Sequence, residues 1–377
     1  MTGNILEILG ISGKEDVISN LLRYCLDVSP NFRAAFLQTI CQIDSSDITI
    51  ARALTRVSTA SAGIPDLIIA TEGSREKHLV ILENKLKADE GSDQTVRYSS
   101  PECVRDVKAR VGWSGVPVSE SFVFLTLFPD QKPEAPVFCR TTYWNLLEAT
   151  QDLPPLEDST AQLLLDAWTS LLAKFYSKNF ISPEDILLAK LQETDPLEGN
   201  YLYFKSFVQS LPLERGLEVE FTFRSSARGR RYFGAVISKP SWHSGEMQET
   251  EGVYQLNANR HFNIHFEPQF HYLKGIMELY LHYEVNPYHT AEWVVKHVPT
   301  AQYNNYASVR ERFIEALRSK GITGLLIGGG SNQIAKAHLN INEASVSRAC
   351  KEISEVINQV AVHIEEIVDD PTGIFAG

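Results

Sequence analysis

Two carboxylates and a lysine stand at the ends of two strand-like segments. Asp66 opens the segment "PDLIIAT", and Glu83 and Lys85 close the segment "HLVILENKL". Side chains alternate along a strand, so Glu83 and Lys85 share one face while Asn84 points to the other. The turn-rich "EGSREK" joins the two segments, which predicts a hairpin that brings Asp66 beside them. Buried charges are costly without partners, which indicates that this cluster has partners or a function.

The cluster has the residue types for metal-assisted chemistry on phosphate. Two carboxylates supply oxygen ligands for a hard divalent cation such as Mg²⁺. Water bound to such a cation is a stronger nucleophile, and a neighbouring lysine stabilises negative charge that develops on a phosphate. We therefore expect Asp66, Glu83 and Lys85 to form a metal-dependent active site.

The same residues resemble a known motif. Pro65 and Asp66, followed by the run Glu83, Asn84 and Lys85, are similar to the signature of the PD-(D/E)xK nuclease superfamily. The core of that superfamily is a helix, three strands, a helix and a strand. The resemblance covers about residues 12 to 150, and residues 195 to 377 carry no comparable likeness.

The surrounding sequence resembles one bacterial branch of that superfamily. In this branch the ENK run is followed by a helix with Gln and Tyr four residues apart, here Gln94 and Tyr98, which share a helix face. The early stretch "KEDVISNLLRYCLD" resembles the first helix of that branch, in which a glutamate, here Glu15, completes the acidic cluster.

The resemblance implies a role for each matched residue. Asp66 and Glu83 would bind Mg²⁺ or Mn²⁺, and the backbone carbonyl of Asn84 would add a ligand. Lys85 would orient or activate water. The supporting residues are Glu15 at the metal, and Gln94 and Tyr98, which would position the lysine or a phosphate.

Structural alternatives accompany these roles. Glu83 and Lys85 could form a surface ion pair, although such pairs contribute only about 0 to 1 kcal/mol. Glu15 could complete a capping box with Ser12, in which case Asp16 would be the alternative acidic residue. The Gln94 and Tyr98 helix could present an ordinary polar face. The superfamily also contains inactivated members.

Other polar stretches are weaker candidates. The arginine-rich "RSSARGRRYF" suits either phosphate contact or a solvated hairpin tip. Together with one arginine of the Gln94 helix it supplies the predicted nucleic-acid contacts: Arg97, Arg228, Arg230 and Arg231, with Arg105, Lys108, Arg110 and Arg224 as further candidates. His261 and His265 have metal-ligand spacing on one strand face, but no third ligand is evident, so half-buried structural histidines are expected.

The order of elements predicts an α/β fold. The N-terminal part is predicted to be a PD-(D/E)xK restriction-endonuclease-like core, with a mixed sheet flanked by helices, at residues 1 to 180. "QETDPLEGN" (192 to 200) is the predicted boundary, and residues 195 to 377 are predicted to form an α+β domain around an antiparallel sheet with one wet face. That domain would recognise the target, bind a partner or hold a dimer.

Composition sets outer limits. The chain has 377 residues, a net charge of −12, no signal peptide and no membrane segment, so a cytoplasmic protein is expected. The five scattered cysteines are predicted to be core thiols rather than disulfides or zinc ligands. The acidic charge argues mildly against non-specific coating of nucleic acid.

The sequence thus predicts a Mg²⁺- or Mn²⁺-dependent nuclease. DNA is favoured over RNA as its substrate, and the resemblance suggests prokaryotic restriction or antiphage defence. A homodimer or a protein partner from a defence system would fit this setting. The alternatives are a catalytically silent or partner-activated nucleic-acid-binding protein on the same fold, and a protein-binding module that acts through the C-terminal domain.

Overall fold

The computed structural model describes residues 4–46, 48–60, 62–74, 76–87, 90–225, 231–271, 274–328 and 332–375; for 49–51, 222–225 and 231 only the backbone is described. The chain forms two compact units. The first comprises Met1–Lys178 and Thr194–Gly199, and the second Asn179–Glu193 and Asn200–Gly377. The predicted boundary segment at 192–200 is therefore divided between them, because residues 194–199 belong to the first unit.

The first unit contains seven helices and five strands among its described residues. The helices are α1 (Ile5–Ile8), α2 (Glu15–Val28), α3 (Pro30–Thr39), α4 (Gln94–Tyr98), α5 (Pro101–Arg110), α6 (Tyr143–Gln151) and α7 (Ser159–Tyr176). The strands are β1 (Ile48–Thr55), β2 (Leu67–Gly73), β3 (Lys77–Lys85), β4 (Ser119–Thr126) and β5 (Cys139–Thr142).

The five strands form one mixed sheet in the order β1-β2-β3-β4-β5. Strands β1, β2 and β3 are antiparallel neighbours, whereas β3, β4 and β5 run parallel. In the hairpin Leu67 pairs with Leu82, so continuing the register by one residue sets Asp66 opposite Glu83. The predicted mixed α/β sheet flanked by helices is confirmed.

The apolar core determines which sheet face carries the cluster. Ile81 precedes Glu83 by two residues and belongs to a buried cluster that includes Cys103 and Val107 of α5. Since side chains alternate, Glu83 and Lys85 lie on the face covered by α4 and α5. Asn84 lies on the opposite face, which packs against α2.

The polar, helical pattern of the sequence from Ser92 to about Val111 predicts one helix after β3, and the structure differs from it. The segment is broken into α4 and α5, because Pro101 begins the second helix and Ser100 caps it by accepting the N–H of Cys103. Proline lacks the N–H needed inside a helix but suits its first position.

The second unit is α+β. Its helices are α8 (Leu187–Leu191), α9 (Asn200–Gln209), α10 (Ala291–His297), α11 (Thr300–Ser319) and α12 (Val346–Val368). Its strands are β6 (Glu218–Ser225), β7 (Arg231–Ser238), β8 (Gln248–Thr250), β9 (Val253–Gln255), β10 (Phe262–His271), β11 (Ile276–Val285), β12 (Leu326–Ile327) and β13 (Gln333–Leu339).

Six of these strands form an antiparallel sheet in the order β12-β13-β11-β10-β7-β6, while β8 and β9 pair separately. The segment "VYQLNA" is predicted from its pattern to be a strand of the antiparallel sheet, but its strand β9 lies outside the main sheet. The predicted wet face is wrong along β10 and β11, where polar residues such as His265 and Glu284 are buried.

Two further features concern the whole chain. Across the residues described, no helix is long and apolar enough to cross a membrane. Four of the five free cysteines are buried, but Cys139 is exposed at the start of the edge strand β5, so the prediction of a core thiol is wrong there.

Candidate functional site

Asp66 and Glu83 meet where the β2–β3 hairpin ends. The backbone N–H of Asn84 donates to Oδ2 of Asp66 over 2.8 Å, which holds this carboxylate across the hairpin. Glu83 is fully buried and Asp66 half-buried. The predicted juxtaposition of the two carboxylates is present in the structure.

Burial disfavours the simultaneous ionisation of Asp66 and Glu83. Loss of solvation raises the pKa of Asp66 to about 6, and the nearby charge of Glu15 adds to this rise. Burial and then repulsion by Asp66 raise the pKa of Glu83 to about 8, despite the opposing effect of Lys85. The pair therefore retains a proton near neutral pH unless a cation neutralises it.

Lys85 is buried beside this pair. Its Nζ lies 2.6 Å from Oε1 of Glu83, and its side chain is 7% exposed. Burial alone would lower the pKa of Lys85, but Glu83, Glu15 and Asp66 together outweigh that effect and raise it. The ammonium group is thus kept charged.

A chain of hydrogen bonds orients the lysine. Nζ of Lys85 donates to Oε1 of Gln94 over 3.0 Å, and Nε2 of Gln94 donates to the Tyr98 hydroxyl over 3.2 Å. That hydroxyl donates in turn to the carbonyl of Ile64, two residues before Asp66. The α4 face predicted from the Gln94 and Tyr98 spacing is therefore part of the cluster rather than an ordinary polar surface.

Glu15 joins the cluster from the start of α2. Its Oε1 accepts the backbone N–H of Leu86 over 2.9 Å, directly after Lys85. The capping-box alternative is wrong, because α2 begins at Glu15, its N-cap is Lys14 and no side chain caps it. The alternative residue Asp16 is exposed and lies 4.0 Å from Arg56.

The side chain of Asn84 has a separate, structural role. Its amide donates to the Ser19 hydroxyl over 3.0 Å and to the carbonyl of Glu15, while its Oδ1 accepts from the Tyr143 hydroxyl over 2.8 Å. These bonds hold α2 and α6 against the end of β3. Only the backbone of Asn84 can take part in the acidic cluster.

The donor set fits a hard divalent cation. Although Lys85 contacts Glu83 as an ion pair, neither carboxylate oxygen of Glu83 receives a well-aligned hydrogen bond from the described residues. A buried carboxylate normally has its oxygens satisfied. Asp66 and Glu83 thus offer oxygen ligands in a site whose excess negative charge a cation such as Mg²⁺ would offset.

Comparison with known proteins adds no family assignment. No protein-family model, curated protein or solved structure matches this chain. The geometry of the cluster and the sequence motif therefore remain the features that indicate a function.

The predicted nucleic-acid contacts are less well defined. Arg97, on α4, is exposed, and its guanidinium donates to the backbone carbonyls of Ser92 and Ala62. Arg228 and Arg230 lie outside the described residues, as does the side chain of Arg231. Of the basic residues of α5, Lys108 is paired with Glu120 over 2.7 Å.

The prediction that His261 and His265 lie on one face of the same strand is wrong. His261 precedes β10, and its Nδ1 accepts the N–H of Asn257. His265 is buried, and its neighbour is His282 of β11, directly opposite in the register. Cross-strand pairing, which the alternation of polar residues in both strands indicates, would have found this pair where spacing along one strand did not.

Proposed function

We propose that this protein is a divalent-metal-dependent nuclease with a PD-(D/E)xK-type core in its first unit. One observation carries the proposal: Asp66, Glu83 and Lys85 meet at the end of a buried hairpin, and the two carboxylates repel each other without a neutralising partner beyond Lys85. Such an arrangement is costly to stability, which points to a functional reason for it.

The residues of the cluster have distinct roles in this proposal. Asp66 and Glu83 hold Mg²⁺ or Mn²⁺, and Glu15 adds negative charge beside them. A bound ion of this kind supplies Lewis-acid stabilisation of phosphate charge and lowers the pKa of water. Lys85, kept protonated by its carboxylate neighbours, stabilises the additional negative charge on the phosphate in the transition state.

Gln94 and Tyr98 act on the lysine rather than on the substrate. The hydrogen-bond chain from Lys85 through Gln94 to Tyr98 fixes the ammonium group before substrate arrives. A preorganised charge needs no reorganisation during the reaction, which is the main source of electrostatic catalysis. These two residues are therefore positioning residues.

Phosphodiester bonds of DNA are the proposed substrate, and restriction or antiphage defence is the proposed setting. Both follow from the motif's resemblance to the bacterial ENK branch. The alternative of a silent or partner-activated protein keeps the same metal site but lacks turnover by the isolated chain.

Cleavage by the purified full chain tests the proposal. Supercoiled plasmid, linear duplex, single-stranded DNA and RNA are each incubated in EDTA, Mg²⁺ or Mn²⁺. We expect DNA cleavage that requires metal and falls by roughly 10²- to 10³-fold in Asp66→Asn. The matched control is Asp106→Asn, since Asp106 is also half-buried and accepts a backbone N–H, that of Ala60, over 2.8 Å.

Two results would contradict the proposal. Cleavage that persists in EDTA or in Asp66→Asn would arise from another site or a contaminant. If no substrate is cut but divalent metal binding depends on Asp66 and Glu83, the partner-activated alternative replaces the autonomous nuclease.

A further inference from the structure

The second unit contains a buried polar cluster that the proposed nuclease function does not use. Strands β10 and β11 each alternate between apolar and polar residues, and their register places His265 opposite His282. The polar side chains all point to one face of the sheet. Of these, His265, Glu267, His282 and Glu284 are each at least nine-tenths buried.

The hydrogen bonds of the two histidines identify which ring nitrogen of each can accept. Nδ1 of His265 lies 3.2 Å from Oδ1 of Asn263, and Nδ1 of His282 lies 2.9 Å from Oε1 of Glu284. Both oxygens can only accept, so Nδ1 is the donor in each neutral ring and Nε2 carries the lone pair. Nε2 of His282 is buried and has no hydrogen-bond partner among the residues described.

Glu267 faces Nε2 of both histidines. Its Oε1 lies 3.6 Å from Nε2 of His265, and its Oε2 lies 3.6 Å from Nε2 of His282. These distances exceed those of hydrogen bonds. They are close to the separation of about 3.3 Å between two ligands of a tetrahedral zinc ion with bonds of about 2.0–2.1 Å.

The partners around these groups resemble an outer ligand shell. Histidines that bind metals commonly donate their other N–H to a carboxylate or carbonyl, which fixes the tautomer. Glu284 and Asn263 supply such acceptors here, and Gln269 donates to Oε2 of Glu267 over 2.6 Å. One ligand atom from each of His265, His282 and Glu284 falls within 4.8 Å of the others.

The surroundings of the two histidines favour a bound cation that can enter from solvent and leave again. A cavity of about 1140 Å³ opens on this face, and its described lining includes Glu218, Glu220, Glu267 and Glu284 but no lysine or arginine. Imidazole nitrogens combined with a carboxylate are typical ligands of Zn²⁺ and related transition metals, whereas Mg²⁺ prefers oxygen alone.

From these observations we infer that the second unit binds a transition-metal ion of the Zn²⁺ class through Nε2 of His265, Nε2 of His282 and the carboxylate of Glu267. Glu284 orients His282. The rings of His265 and His282 are stacked with centroids 5.0 Å apart, so binding of one ion would require them to turn until both Nε2 lone pairs converge. The cavity leaves room for water or a small ligand at the remaining coordination position.

Zinc titration of the full chain without a histidine tag tests this inference. The metal-free protein is titrated with Zn²⁺ by calorimetry and with Co²⁺ by visible absorption, which reports tetrahedral coordination. Glu83→Gln, which lacks the proposed first-unit metal site, is expected to bind one Zn²⁺ per chain, and wild type is expected to bind this Zn²⁺ in addition to any held by Asp66 and Glu83. His265→Gln and His282→Gln are each expected to lose roughly 100-fold or more in affinity, whereas Glu83→Gln retains binding.

The matched control is His338→Gln, an exposed histidine of the adjacent strand β13, and it is expected to bind Zn²⁺ like wild type. Wild-type protein that binds no Zn²⁺ would overturn the inference, and this result does not depend on the folding of any variant. Unchanged affinity in folded His265→Gln and His282→Gln would overturn it as well. Neither result bears on the nuclease proposal, whose cluster lies in the first unit.

Discussion

Nζ of Lys85 lies 2.6 Å from Oε1 of Glu83, and both side chains are buried at the end of β3. This pair differs from a surface ion pair because solvent cannot screen it. It also differs from an isolated ion pair, because the carboxylate of Asp66, opposite Glu83 in the hairpin, repels the carboxylate of Glu83. The arrangement keeps a positive charge fixed beside two carboxylates.

Replacing Lys85 should strongly reduce the rate of catalysis. We predict that Lys85→Met lowers the single-turnover rate of DNA cleavage by roughly 10²-fold or more, because the charge that stabilises the transition state is lost. The control is Lys77→Met, which breaks the 2.9 Å ion pair between Lys77 and Glu72 at the other end of the same hairpin. Equal rates in Lys85→Met and wild type would remove the lysine from the mechanism.

The two acidic residues at the start of α2 should differ in importance. Glu15 accepts the N–H of Leu86, while Asp16 is exposed. Glu15→Gln is therefore expected to lower Mg²⁺ affinity and cleavage by roughly 10-fold or more, as for residues that support metal ligands. Asp16→Asn is expected to behave as wild type. The reverse order, measured by cleavage against Mg²⁺ concentration, would exclude Glu15 from the site.

The orienting chain should affect rate more than substrate binding. In Gln94→Leu and in Tyr98→Phe, Lys85 loses all or part of its hydrogen-bonded support. We expect kcat to fall by about 10-fold with little change in KM, since the substrate contacts remain. A rise in KM at unchanged kcat would instead indicate that these residues bind the substrate.

The acidic cluster should destabilise the metal-free protein as pH rises. The pKa of Glu83 in the folded protein, about 8, lies above its ordinary value. The folded state therefore keeps a proton that the unfolded state has already released, and stability is lost as pH rises through this interval.

Glu83→Gln removes that effect. At pH 8 without metal, we expect this variant to be more stable than wild type by on the order of 1–3 kcal/mol. The difference should vanish near pH 4, below the ordinary carboxylate pKa, and Mg²⁺ should stabilise only the wild type. Thermal unfolding at several pH values measures this. If Glu83→Gln were less stable than wild type at pH 8, ionisation of Glu83 would not destabilise the folded protein.

Local sequence patterns were sufficient to predict which side chains meet at the centre of the site. Strands β2 and β3 follow each other directly, so alternation and a short turn indicate which side chains meet in the hairpin. Gln94 and Tyr98 were indicated by the resemblance to the bacterial ENK branch, and their helical spacing places them on one face. The break at Pro101 did not disturb them because it falls after α4 has ended.

Local patterns could not predict the contacts between segments that are distant in the sequence. The preference for Glu15 over Asp16 came from the resemblance to the bacterial branch, because local patterns carry no signal for the angle at which α2 meets the end of β3. Residues 194–199 return to the first unit, where Asp195 forms a buried ion pair with Lys178, which is distant in the sequence. The His265 and His282 pair required a strand register rather than a spacing.

Binding of Mn²⁺, followed by electron paramagnetic resonance of the free ion, tests the central claim most directly. Wild type and His282→Gln are each predicted to hold one Mn²⁺ that EDTA removes, and Asp66→Asn and Glu83→Gln are predicted to lose it. If Asp66→Asn and Glu83→Gln, shown to be folded, bind Mn²⁺ as tightly as wild type, the hairpin carboxylates do not form the metal site and the proposed mechanism is wrong.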